Sequence, residues 1–231
     1  MTITLGIPRA LAYHDYFPHW QVFLSRLGVN LLISPPTNQA ILNEGVRRAV
    51  DGTCLPVKIF YGHVHWLIEQ GVDGLFMPRL VSVAPGEYIC PKFMGLPDMV
   101  LGAFPQSPKA FCPTIDLNRS SSYVNRQIEE LGNELGYRSR EILAAWHEGV
   151  KAQGEHEARL QGGWYLAQNG WKVSHDGSRA GSSYLQHSPS SDESTASLVR
   201  IGLLGHSYLI YDEFANMGMV NRLRKMGTKV L

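Results

Sequence analysis

Three cysteines stand out in this chain of 231 residues, because each falls in a break between regular elements and beside a proline or a cation. They are Cys54 in Thr53-Cys54-Leu55-Pro56-Val57-Lys58, Cys90 in Tyr88-Ile89-Cys90-Pro91-Lys92, and Cys112 in Phe111-Cys112-Pro113. Thiolates are soft ligands that suit zinc and iron–sulfur clusters. A proline directly after Cys90 and Cys112 fixes the local backbone and echoes the Cys-Pro step of some iron–sulfur sites. The same breaks hold Arg9, Lys58, Arg79 and Lys92, whose charges suit an anionic cluster or an anionic ligand. Residue type and spacing leave three readings open. One is an iron–sulfur site, the second a zinc site that still wants a fourth ligand, and the third a set of unrelated thiols, since free cysteine is among the most buried residue types. An odd count of three is too few for a disulfide framework in a chain of this length.

Other polar residues carry weaker signals. His63 and His65, two apart on a helix, face different sides and are expected as a core-edge and a surface histidine. The pairs Asp15/Tyr16 and Asp212/Glu213 follow two Tyr-rich turns and suit acid–base chemistry, but carboxylates near helix starts more often cap the helix. Gly205-His206-Ser207-Tyr208 begins like a nucleophile elbow and then has Leu209 where the second glycine is needed. There is no GxxxxGKS/T phosphate loop, no GxGxxG, no HExxH and no acidic calcium loop, so ATP chemistry within the chain is not expected.

These residues must be positioned by the elements around them. Ile3 to Ile7 reads as a strand, and Phe17, Trp20, Leu24 and Leu27 then repeat at helical spacing up to Gly28. A second strand from Val29 to Ile33 precedes a helix from Ala40 to Val50. Leu55 to Gln70 is the clearest helix, with Pro56 in its first turn and Val57, Phe60, Val64 and Leu67 on one face. Strands from Gly74 to Pro78 and from Lys109 to Phe111 follow, then helices from Ser122 to Leu135 and from Ser139 to Leu160. The alternation predicts an α/β fold, a Rossmann-like parallel sheet flanked by helices, with ligands at the carboxyl ends of the strands. Cysteines at successive strand-end connections would then share one edge.

Residues 1–173 are expected as this cysteine-bearing domain, 174–197 as a serine-rich linker, and 198–231 as the start of a second α/β unit. LGIPRALAYHDYF from Leu5 and IGLLGHSYLIYDEF from Ile201 are weakly alike, which suggests that the second unit is built like the first. With one strand, helix and strand it cannot bury its own faces, so it is expected to be truncated or completed by another chain.

Hydrophobic residues make up 44% of the chain and charged residues 18%, with 21 Lys and Arg against 20 Asp and Glu. That near balance lacks the basic footprint of a nucleic-acid binder. No apolar run approaches the roughly 18 residues of a membrane span, and the start has no basic region before its apolar residues. A cytoplasmic protein is expected.

The segments LGIPRALAYHDYFPHW, LLISPPTNQAILNEGVRRAVDGTCLPVKIFYGHV, MPRLVSVAPGEYICPKFMGLPDM and IGLLGHSYLIYDEF resemble the CoA enzyme activase-related family. That family is itself similar to the 2-hydroxyacyl-CoA dehydratase component proteins. The resemblance implies Rossmann-like domains and an iron–sulfur cluster, 4Fe-4S or double-cubane, held by Cys54, Cys90 and Cys112. It further implies a separate ATP-hydrolysing activase that delivers electrons for reduction or dehydration of an acyl-CoA-like substrate, in a homo- or hetero-oligomer. A non-catalytic domain, zinc-bound or metal-free, that docks to an activase is the alternative. The serine-rich segment does not look like the family.

Overall fold

The apolar runs around Leu5, Leu31, Leu75 and Ala110 lie side by side as parallel strands. The computed structural model describes residues 2–161 and 199–230. Strand β1 (Thr4–Ile7) leads into helix α1 (Tyr13–Arg26), and β2 (Asn30–Ile33) leads into the hairpin α2 (Gln39–Arg48) and α3 (Leu55–Glu69). Strands β3 (Gly74–Phe76) and β4 (Arg79–Ser82) are followed by short helices α4 (Pro91–Met94) and α5 (Leu96–Ala103). Strands β5 (Lys109–Phe111) and β6 (Thr114–Asp116) then precede α6 (Ser121–Glu134) and α7 (Ser139–Gln161). The main sheet has the order β2-β1-β3-β5, every pair parallel, as the alternating pattern predicts. In this order the chain reverses direction across the sheet between β1 and β3, the place where open α/β sheets bind ligands.

Both faces of the sheet are covered, with side chains alternating between them. Leu5, Ile7, Phe76 and Phe111 join Phe17, Phe23, Ile128, Ile142 and Trp146 on the side of α1, α6 and α7. Leu75 joins Val57, Tyr61, Val64, Leu67 and Val100 on the side of α3 and α5. Burial of this kind is worth about 1.5–3 kcal/mol per large apolar side chain.

Two features exceed the sequence reading. The strand expected to close at Pro78 and the one expected to end at Phe111 both resume after their prolines, as β4 and β6, which pair in parallel. Met77 N–H donates to Phe111 O at 3.0 Å and Arg79 N–H to Pro113 O at 3.0 Å, so the ladder runs on past two residues that lack a donor. The second feature is that Cys90 lies at the start of α4 and not within an extended loop.

At the far end, β7 (Arg200–Ile201), α8 (Ser207–Ile210), α9 (Met219–Lys225) and β8 (Lys229–Val230) form a strand, helix, strand unit with β7 and β8 parallel. It packs against the first unit: Ser207 Oγ donates to Asp15 Oδ2 at 2.7 Å, and the Phe93 and Tyr208 rings are 5.9 Å apart. The expected linker from Ser174 to Ser197 lies outside the described residues. No described helix is long and apolar enough to cross a membrane.

Candidate functional site

All three cysteines sit beyond the carboxyl edge of the sheet, each for a local reason. Cys112 directly follows β5, where Pro113 interrupts the strand. Cys54 precedes Leu55-Pro56 and is the N-cap of α3, which runs back towards the amino end of β3; its start therefore projects beyond the opposite edge. Cys90 is the N-cap residue of α4, and the preceding Ile89 N–H donates to Val81 O of β4 at 3.1 Å, which hangs α4 on the strand extension.

The thiols differ in setting. Cys54 and Cys90 are exposed, whereas Cys112 is partly covered. Burial pushes the Cys112 thiol up to about 11, only partly offset by the Arg79 guanidinium, so a metal ion would have to displace its proton. Tyr208 of the C-terminal unit packs against Phe93 of α4, the helix that Cys90 caps. Its hydroxyl is pushed up by burial first, and then by Cys54, Cys90 and Asp15, which places both exposed thiols within electrostatic reach of one phenol.

The four cations have separate duties. Arg79 is a clamp: it makes a two-pronged pair with Asp98 at 2.6 and 2.7 Å and donates to Met94 O at 2.6 Å, joining β4 to α4 and α5. Its charge is therefore already matched. Lys92 Nζ donates to Gly52 O at 3.4 Å, which ties the Cys90 helix to the loop before Cys54. Lys58 and Arg9 have no carboxylate within ion-pair distance among the described residues.

The donor set suits an iron–sulfur cluster chemically: three thiols on one side of one sheet, two of them open to solvent. Among the described residues, however, no three His, Cys, Asp or Glu side chains converge closely enough to hold a metal ion. The fold thus brings the cysteines to a shared edge without drawing them into one ligand set.

A second polar cluster lies beside them, and sequence reasoning missed most of it. Thr37, in the loop after β2, donates to Asp212 Oδ2 at 2.5 Å and contacts His63 Nε2 at 3.0 Å. A hydroxyl has one proton. Having given it to Asp212, Thr37 must accept from His63, which fixes the Nε2–H tautomer and leaves Nδ1 as a lone pair. His63 is fully buried and its Nδ1 has no partner among the described residues. Burial, aided by His14 and Arg9, pulls His63 down to about 3, so the ring is neutral. Asp212 also accepts from the Phe214 and Ala215 N–H groups at 3.0 and 2.9 Å, within the turn between α8 and α9 and not at the helix start where a capping carboxylate is expected. Spacing could not reveal the link, because Thr37 and Asp212 are 175 positions apart.

The Thr37→Val substitution keeps the shape and removes the hydroxyl. It is expected to cost about 1–3 kcal/mol, the penalty for leaving buried polar groups unpaired. Amide exchange across 199–230 should accelerate; exchange unchanged from the native protein would mean the link does not hold the unit down.

With this geometry in view, the family comparison is informative. The match to the family described as the CoA enzyme activase uncharacterised domain runs over residues 4–231. The chain belongs to that family. No curated protein matches the chain. The family match spans the cysteine edge, the Thr37–His63–Asp212 link and the C-terminal unit together, so this CoA enzyme activase-related chain carries them within one family unit.

Proposed function

We propose that this CoA enzyme activase-related protein binds an iron–sulfur cluster, 4Fe-4S or double-cubane, through Cys54, Cys90 and Cys112, and takes electrons from an ATP-hydrolysing activase. The observation that carries the reading is the placement of all three cysteines beyond one sheet edge, two of them exposed. The bound cluster would supply low-potential electron storage and delivery to a hard-to-reduce group such as an acyl-CoA thioester. The chain's own residues supply the frame. Arg79, locked to Asp98 and Met94, holds α4 on the strand extension. Lys92 keeps Cys90 near the loop that leads to Cys54. Lys58 and Arg9 contribute unmatched positive charge, which favours an anionic cluster and an anionic substrate alike.

Protein purified without oxygen is expected to be brown, to contain iron and sulfide, and to be reduced by its activase with ATP and a low-potential donor while hydrolysing no ATP alone. Replacing one of three ligands should remove most of the iron, so Cys90→Ser is expected to lower bound iron several-fold, about tenfold by the effect seen when metal-site residues are lost. A colourless preparation with stoichiometric zinc, or with no metal and with Cys90→Ser as stable as the native protein, would instead establish the docking domain.

A further inference from the structure

We propose that the cleft between the α2–α3 hairpin and the turn joining α8 to α9 binds a zwitterion with an apolar body, a large apolar amino acid or a short apolar peptide, whose carboxylate meets Arg222 and whose ammonium group meets Glu213. This goes beyond the cysteine reading and does not depend on it.

The cleft has a volume of about 560 Å³, within the range of small-molecule sites. Its lining is mostly apolar, with Leu42 of α2 and Leu55 of α3 contributed by the hairpin and Phe214 and Met217 by the turn. Two charged side chains complete it, Glu213 in the turn and Arg222 of α9. Neither has an oppositely charged partner within ion-pair distance among the described residues, so the two do not neutralise each other. Glu213 Oε1 accepts from Asn221 Nδ2 at 3.0 Å, which holds the carboxylate in place. An anion and a cation kept apart in one apolar cleft are complementary to a ligand that carries both signs around an apolar body. A ligand of a single sign would satisfy one of them and desolvate the other without compensation.

The turn is built to keep this shape. Asp212 accepts from the Phe214 and Ala215 N–H groups, Gly218 N–H donates to Glu213 O at 2.8 Å, and Asn216 Nδ2 donates to Ile210 O at 2.8 Å. Within this bonded frame Met217 adopts a φ of 56°, in the left-handed region that a non-glycine residue seldom enters, and Gly218 follows at 68°. The side chain so placed is 77% exposed, and Leu55 of the hairpin is 43% exposed. Met217 therefore gains little from the core in return for its backbone conformation. Strain of this kind collects at ligand clamps, and an unbranched thioether adapts to apolar ligands of different shape.

The test is calorimetric titration of the reduced, metal-free full chain with L-phenylalanine and, separately, with L-phenylalanyl-L-leucine. At least one is expected to bind at a single site with Kd of about 1 mM or below. Tighter binding of the free amino acid would identify an amino-acid site, and tighter binding of the dipeptide a peptide site. Phenylpropanoate, which lacks the ammonium group, and phenylethylamine, which lacks the carboxylate, should each bind about tenfold more weakly than phenylalanine. Arg222→Met is expected to weaken zwitterion binding about tenfold and to leave phenylethylamine binding unchanged. Glu213→Gln, which keeps an acceptor for Asn221, should weaken zwitterion binding and leave phenylpropanoate unchanged. All three substituted positions, these two and the control Lys225→Met, are exposed, so the fold is retained. The control lies on α9 outside the cleft and should bind as the native protein does. No binding of either zwitterion, equal affinity for the analogues that lack one charge, native affinity in either cleft variant, or the same loss in Lys225→Met overturns the proposal. Because no metal is present in the assay, that result would leave the cysteine reading untouched.

Discussion

Lowering the pH from 7 to about 4.5 is expected to destabilise the protein steeply, because three buried histidines must gain protons that only the unfolded chain accepts readily. Burial pulls His14 and His19 down from 6.5 to about 4, and His63 to about 3. Their folded values lie below the unfolded one, so the stability they represent is fully present above about pH 6.5 and is lost as the pH falls towards 3–4. Each contributes a slope of about 1.4 kcal/mol per pH unit inside that window, and three together about 4 kcal/mol per unit, against a typical total of about 5–15 kcal/mol. Asp15 works in the opposite sense, since burial raises its carboxyl, but it is one group against three. The reason the rings cannot simply turn to solvent is packing. His19 lies 4.0 Å from the Trp146 ring centre, in the contact of α1 with α7, and its Cδ2 is 2.3 Å from where a Cβ on Gly149 would lie. Urea midpoints measured at pH 7, 6, 5 and 4.5 should fall sharply below pH 6.5, and His19→Leu should remove about a third of the slope. Equal midpoints at pH 7 and pH 5 would show that these rings titrate normally.

The histidines also mark where sequence reasoning stops. The strands and long helices were legible because their apolar periods are long: Val57, Phe60, Val64 and Leu67 predict the buried face of α3, and three of the four lie almost wholly out of solvent. The parallel order followed from alternation alone. The strand extensions β4 and β6 were not legible, because prolines normally end a strand and only the pairing partner shows that the ladder resumes. Cys54, Cys90 and Cys112 were placed on one edge by the same topological rule that predicts the sheet. How far apart their sulfurs stand depends on α4 and on Arg79, and a four-residue helix with no buried residue leaves no periodic trace. From sequence, the Arg79 charge suits an anionic cluster or ligand; its actual partner Asp98 has no sequence signal, being 19 positions away on another element. The same holds for Tyr208 and Asp212, which reach the first unit only through tertiary packing.

The α2–α3 hairpin is where a single added methyl group should matter most. The two helices run antiparallel with Ile41 opposite Gly62 and Gly45 opposite Lys58, and their backbones touch. A Cβ on Gly62 would lie 1.9 Å from Ile41 O, and one on Gly45 would lie 1.8 Å from Lys58 O. Both obstacles are carbonyl oxygens of regular helices, which cannot swing aside as a side chain would. Alanine is favoured over glycine inside a helix by about 1 kcal/mol, but relieving this clash requires the helices to part, at about 1–3 kcal/mol or more. Gly62→Ala is therefore expected to lower Tm, by about 2–4 °C for each net kcal/mol lost in a chain of this size. The damage should extend to function, since α3 carries Cys54 at its start and His63 beside the substituted residue. Displacing α3 moves Cys54 relative to Cys90 and stretches the His63–Thr37–Asp212 link at once. Gly102→Ala serves as the control: it lies in α5 with nothing within 4 Å of a new Cβ, so the same exchange should leave Tm unchanged or raise it. If Gly62→Ala melts at or above the native temperature, the close crossing of α2 and α3 is not what seats the cysteine edge.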